Sequence, residues 1–196
     1  MTVYLIRHAQ TVHNKKGKVF SGRSDVSLSE EGKKQAEKCK NFPFIKDIGE
    51  VYITPLTRTA QTADIIFPKS IPRYTVPELS EMDFGDYEGR VLDESDENDE
   101  VFYKWINCPE TLTFPGGNNF SLHALSAYNA FRKTALSSKE NAVAIISHAT
   151  TIRLIITQLL GQKLSSFRSI PCENCSAAKI TIENGIFTVD EINITA

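Results

Sequence analysis

The chain has 196 residues, enough for one sizeable core, with 41% apolar and 23% charged side chains, an ordinary globular composition. Its formal net charge of −2 supplies no basic field, which argues against nucleic acid as a partner. No apolar stretch approaches the roughly 18 residues that a membrane span needs, and the opening MTVYLIRH lacks the basic head and long apolar core of a signal peptide. The expectation is a cytoplasmic protein with reduced cysteines.

In chain order, residues 2–7 read as a strand and a polar loop follows to about residue 27. SLSEEGKKQAEKCKNF, residues 27–42, reads as a helix opened by hydroxyl residues, with Ser27 three before Glu30 in the spacing of a capping box. VYIT, 51–54, is a second short strand that stops at Pro55. Thr57 to Phe67 carries Ala60, Ala63 and Phe67 at helical spacing, and Ile71 to Val76 reads as a third strand. Residues 77–120 form an insertion rich in acids, aromatics and glycines. Within it Asp93 to Glu100 holds six acidic side chains in eight residues, read as a solvated face. Phe102, Tyr103, Trp105 and Ile106 suggest a short amphipathic helix that covers something. Residues 120–137 read as a helix, 142–147 as a buried strand and 150–160 as a helix closed by Gly161. The chain ends in a hairpin turned at Asn184-Gly185, the preferred type I′ pair.

Strands alternating with helices predict an α/β three-layer sandwich: a mostly parallel mixed sheet, helices on both faces and a C-terminal β-hairpin. With no internal repeat and no linker, residues 1–196 read as a single domain. Nothing in the sequence sets an oligomeric state.

In open α/β sheets ligands bind beyond the carboxyl ends of the strands. Arg7 and His8 follow the first strand, His148 follows the buried strand, and Arg58 lies just after the second. Two guanidinium groups and a protonated imidazole match a phosphate monoester in charge and donor geometry. A second imidazole facing the clamped phosphorus can attack in line and form a phosphohistidine that water later cleaves. That chemistry calls for no metal or other cofactor, in keeping with a sequence that has no carboxylate-rich metal motif. A carboxyl group must protonate the leaving alcohol, and Glu81, Asp83, Asp86 and Glu88 are all candidates. His13 and His123 show no partner by spacing. Cys172 and Cys175 make one C-x-x-C, which reads as a pair of structural thiols because neither Cys39 nor Cys108 completes a metal set.

Taken together, LIRHAQTVHN, VFSGRSDVSLSEEGKKQA, ITPLTRTAQTADII, ELSEMDFGDYEG, FPGGNN and AIISHATTIRLII resemble, in order, the motifs of the histidine phosphatase superfamily, also called phosphoglycerate mutase-like. The resemblance implies that His8 is the phosphorylated nucleophile and that Arg7, Arg58 and His148 hold the non-bridging oxygens. It also implies that Asn14 and the Ser21–Gly22 loop line the phosphate pocket, and that Glu81 is the proton donor and then the base. Three departures stand out: Ala9 where glycine is usual, Ala149-Thr150 for Gly-Gly, and Asn118-Asn119 for Glu-Ser. The short length favours hydrolysis over the phosphate return of the mutases. SGRSD, ELSEMDFGDYEGR and Cys175-Ser176-Ala177 look like the α-ribazole-5′-phosphate phosphatases. Phe84, Tyr87, Tyr103 and Trp105 either stack an aromatic base or pack the cover. The implied partner is a small phosphorylated metabolite, and the implied activity a phosphomonoesterase. The alternatives are a phosphoglycerate mutase-type phosphotransferase and a catalytically weak module that binds a phosphorylated ligand.

Overall fold

A computed structural model describes residues 1–14, 19–91 and 99–196. The chain runs β1 (Thr2–Arg7), α1 (Glu30–Cys39), β2 (Glu50–Ile53), α2 (Thr57–Ile66), β3 (Arg73–Thr75) and α3 (Glu100–Asn107). It continues with α4 (Phe120–Ser137), β4 (Ala142–Ser147), α5 (Ala149–Leu159), β5 (Ala177–Glu183) and β6 (Ile186–Ile194). The six described strands form one sheet in the order β3-β2-β4-β1-β5-β6. β3, β2, β4 and β1 are mutually parallel, and β5 and β6 add the antiparallel hairpin. Asn184 and Gly185 both take positive φ, 51° and 77°, as a type I′ turn requires.

Alternation along the strands builds the two faces. Ile6, Val51, Ala144 and Ile146 point to the side covered by α1 and α2. Val3, Leu5, Val143 and Ile145 point to the side covered by α4 and α5, whose Phe131, Ile152 and Ile155 meet them. β4 is buried at every position, the mark of a central parallel strand covered on both sides.

Several boundaries differ from expectation. α1 is capped by Ser29, whose side chain accepts from the Gly32 amide at 3.0 Å, and not by Ser27. It ends at Cys39 because the chain then turns to bury Phe42 and Phe44 beneath the sheet. The acidic run falls largely outside the described residues. Its last members, Asp99 and Glu100, cap and begin α3.

The described parts of 77–120 contribute most of a third apolar cluster. Phe84, Tyr87, Phe102, Trp105, Phe114 and Phe120 pack with Phe20 and Phe167, mostly edge to face. Tyr103 stands outside it, 57% exposed.

Candidate active site

The register of the two central strands brings the site together. β1 and β4 pair in parallel with Arg7 opposite Ser147, so His8 and His148 leave adjacent strand ends side by side. The His8 amide donates to the Ser147 carbonyl at 3.0 Å, and the two imidazole centroids lie 5.1 Å apart. β2 also pairs with β4, and its continuation places Thr54 beneath His148 and Arg58 one helical step further.

Beyond these strand ends lies a cavity of about 450 Å³. Arg7, His8, Asn14, Ser21 and Glu81 line it together with Phe84, Trp105, Arg153 and Asn174. His8 Nδ1 lies 2.8 Å from the Ala9 carbonyl. A carbonyl only accepts, so Nδ1 carries the hydrogen and Nε2 keeps its lone pair. Burial above all, and then the charges of Arg58 and Arg7, hold the His8 pKa well below its ordinary value of 6.5. The nucleophile candidate is thus a neutral imidazole. Ala9, the departure beside it, is fully buried, and its amide donates to Thr62 Oγ1 at 3.1 Å.

Arg7 is fixed from behind by the C-x-x-C segment. Its Nη1 donates to the Cys172 carbonyl at 2.7 Å, and the Cys175 amide donates to the Arg7 carbonyl at 3.1 Å. Arg7 Nε is buried without a hydrogen-bond partner among the described residues. The two cysteines therefore serve as a backbone brace. No group of three or more His, Cys, Asp or Glu able to hold a metal ion occurs among the described residues.

Arg58 and His148 sit deeper than expected. They are 1% and 0% exposed and are not among the residues that line the cavity, although the His148 ring stands 5.1 Å from that of His8. Arg58 Nε donates to His148 Nδ1 at 3.1 Å, which assigns the single ring hydrogen to Nε2, donated to Thr54 Oγ1 at 3.0 Å. His148 is thus neutral, with its pKa held well below 6.5 by burial first and by Arg58 second. The expected protonated partner is thus held neutral here by burial and by the guanidinium hydrogen already on its Nδ1. Arg58 Nη1 and Nη2 donate to the Ser24 and Gly22 carbonyls at 2.8 and 2.7 Å.

Gly22 was expected in the phosphate pocket, and its amide instead donates to Glu88 Oε1 at 3.0 Å. Glu88 also receives the amides of Arg23 and Ser24 and the Ser24 hydroxyl. A Cβ at Gly22 would come within 2.0 Å of the Met82 carbonyl, so glycine is required there for close approach. Gly22 acts on the site by holding Arg58, while Ser21 reaches the cavity itself.

Among the four candidate acids only Glu81 lines the cavity. Ser147 Oγ donates to the Leu79 carbonyl at 2.7 Å and Thr151 Oγ1 to the Ser80 carbonyl at 2.8 Å, docking this segment on the β4–α5 junction. The Glu81 carboxylate then receives the amides of Thr150 and Thr151 at 3.0 and 3.2 Å, at the N-terminus of α5. Asp83 binds the Gly85 amide, Asp86 is exposed, and Asn118 accepts from the Asp83 amide. His123, without a partner by spacing, meets Thr151 Oγ1 through Nε2 at 3.1 Å. Sequence spacing carried no signal for that contact. Arg153 was also missed as a lining residue, although it stands one helical turn beyond Thr150.

A family model described as the histidine phosphatase superfamily (branch 1) matches residues 3–195. The chain is 30% identical to phosphoserine phosphatase 1 of Hydrogenobacter thermophilus, over 97% of this chain and 91% of that protein. It is 26% identical to the adenosylcobalamin/α-ribazole phosphatase of Salmonella typhimurium, over 100% and 98% of the two chains. The crystal structure of the α-ribazole phosphatase from Shigella flexneri superposes with a TM-score of 0.87 at 25% identity, covering 100% of this chain and 99% of that one.

Proposed function

We propose that this chain, which belongs to the histidine phosphatase superfamily, hydrolyses a small phosphate monoester through a phosphohistidine at His8. His8 Nε2 attacks phosphorus, the bond from phosphorus to the alcohol oxygen breaks, and Glu81 gives that oxygen a proton. Water then attacks the phosphohistidine and passes a proton to Glu81, inorganic phosphate leaves, and the enzyme returns to its starting state. Arg7, Asn14 and Ser21 hold the phosphate oxygens. Arg58 and His148 supply the wall behind His8, with Arg58 adding positive charge against the developing negative charge of the transition state. Gly22 contributes through Arg58.

One observation carries this reading: a neutral His8, its Nδ1 hydrogen on the Ala9 carbonyl at 2.8 Å, shares a cavity with Arg7 and Glu81. An uncharged imidazole with a free Nε2 lone pair is the form that attacks phosphorus.

The proposed ester is α-ribazole 5′-phosphate. The Salmonella and Shigella relatives are named α-ribazole phosphatases, and Phe84 and Trp105 line the cavity while remaining packed in the cover. Phosphoserine is the second candidate, supported by the Hydrogenobacter relative's name and by Arg153 in the wall, a partner for a carboxylate. We take residues 1–196 as one domain, with 77–120 as its cover. No described helix is long and apolar enough to cross a membrane, and four free thiols suit a cytoplasmic setting.

The test is phosphate release from α-ribazole 5′-phosphate, phosphoserine and nitrophenyl phosphate in EDTA, by the wild-type protein and by His8→Ala. Release by the wild type and none by the variant is the expected result. Transfer of phosphate to a second hydroxyl would mark a mutase, ester binding without turnover would mark a binding module, and turnover by His8→Ala would refute the mechanism.

A further inference from the structure

The two oxygens of Glu81 are held unequally. Oε1 receives the Met82 amide at 3.0 Å and the Thr151 amide at 3.2 Å, and it shares the single Thr151 hydroxyl hydrogen, at 3.2 Å, with the Ser80 carbonyl at 2.8 Å. Oε2 receives the Thr150 amide alone, at 3.0 Å. A proton settles on the oxygen with fewer donors, because each donor already present competes with it. Oε2 is therefore the oxygen that carries the transferable hydrogen.

The Thr151 hydroxyl decides how firmly Oε1 is held. It has one hydrogen and three neighbours: the Ser80 carbonyl at 2.8 Å, Glu81 Oε1 at 3.2 Å and His123 Nε2 at 3.1 Å. The first two only accept when Glu81 is ionised, so the third must donate for the cluster to be satisfied. Burial lowers the His123 pKa, and the neutral ring has one hydrogen to give. His123 is 8% exposed and also lines a surface cleft bounded by Arg23, Glu78, Asn118 and Asn119, which shares no lining residue with the substrate cavity.

We propose that His123 is a positioning residue for proton transfer: its Nε2–H, given to Thr151 Oγ1, turns the threonine hydrogen toward Ser80 and Glu81 and keeps the transferable proton on Glu81 Oε2. The inference rests on Glu81 being the proton donor, and it adds a residue on the far side of that carboxylate from the substrate. Without His123 the Thr151 hydroxyl is free to turn away, Oε1 loses a donor, and the proton divides between two oxygens of which one faces away from the leaving group.

The experiment compares kcat/KM for nitrophenyl phosphate, whose leaving group departs with little help, and for an alkyl phosphate, whose leaving group needs a proton. This ratio reports transfer to His8 and excludes the later hydrolysis of the phosphoenzyme. In His123→Leu, kcat/KM for the alkyl ester falls about tenfold and for the nitrophenyl ester by less than about twofold. His123→Gln, which can still donate to Thr151, restores the alkyl rate to within about threefold of wild type. If the leucine variant does not fold, His123→Asn, polar and too short to reach Thr151, takes its place with the same expectation. Equal loss on both esters, no loss on either, or no rescue by glutamine would overturn the inference. Absence of wild-type activity on both esters would instead refute the phosphatase reading.

Discussion

Glu88 offers a demanding test, because its role here is to hold a loop and not to move a proton. Its carboxylate receives the Gly22 amide at 3.0 and 3.1 Å, the Arg23 amide at 2.9 Å, and the Ser24 amide and hydroxyl at 3.3 and 2.7 Å. The Phe84 amide adds a further donor at 3.3 Å. In Glu88→Gln one acceptor becomes an NH₂ group. The least costly orientation places that group at the Oε2 position, where the Ser24 hydroxyl can reverse and accept while the Ser24 amide loses its partner. A hydrogen bond to a charged group contributes about 1.5–3 kcal/mol. The loop is half exposed and the orphaned amide regains water, so the total cost is about 2–3 kcal/mol, or a fall in Tm of about 5–10 °C for a chain of this size. The Ser24 and Gly22 carbonyls position Arg58 at 2.8 and 2.7 Å. A loosened loop therefore lowers kcat/KM about tenfold, the effect of one misplaced charge-stabilising group at the low end of its range. Thermal melting followed by circular dichroism, alongside nitrophenyl phosphate kinetics, reads both effects. An unchanged Tm with a collapsed kcat would refute the reasoning and return Glu88 to the candidate acids.

Acid should weaken the fold through its buried histidines. His8, His148 and His123 all have pKa values lowered by burial, so the unfolded chain binds more protons than the folded one near and below 6.5. Stability is then present above that pH and lost below it, by about 1.4 kcal/mol per unit for each ring; urea midpoints at pH 7, 6 and 5 should fall steeply, and a flat series would contradict the assignment. For the same reason, kcat/KM holds its value as pH falls through 6.5, since His8 is already neutral there; an acidic limb centred at 6.5 would contradict a buried, neutral nucleophile. Trp105, 6% exposed, packs against Phe84, Phe114, Phe120 and Phe167 at centroid distances of 5.8, 5.6, 5.9 and 5.2 Å. Trp105→Ala should cost about 3–5 kcal/mol in chemical denaturation and raise KM for α-ribazole 5′-phosphate more than for phosphoserine; equal KM changes would remove the ring from substrate contact.

Much of this architecture could be read from apolar periodicity. The run Ala142–Ser147 and the hairpin turn Asn184-Gly185 have patterns with a single economical interpretation, and the structure follows them. Strand ends that stop on Arg7, His8 and His148 were legible for the same reason, because parallel neighbours deliver their next residues to one edge. What periodicity does not encode is depth. The carbonyls that take the Arg58 donors come from a loop 34 and 36 residues upstream, a long-range closure with no local sign. The spacing to Glu30 favours Ser27 as the cap of α1, whereas the helix starts at Glu30 and Ser29 caps it by accepting from the Gly32 amide. Glu81 was indistinguishable by spacing from Asp83, Asp86 and Glu88. Ser147 and Thr151, about 70 residues away, dock the segment that brings Glu81, alone of the four, to the cavity. His123 stayed hidden for the same reason, since its partner lies on another helix.

The central claim is a covalent bond between phosphorus and His8, and trapping it is the most direct measurement. Wild-type protein mixed with a radiolabelled phosphate ester, quenched in base within the first turnover and digested, should carry acid-labile label on the peptide containing His8. A chase with unlabelled ester should release that label as inorganic phosphate. Rapid turnover with no label on His8, or label on a different residue, would contradict the account.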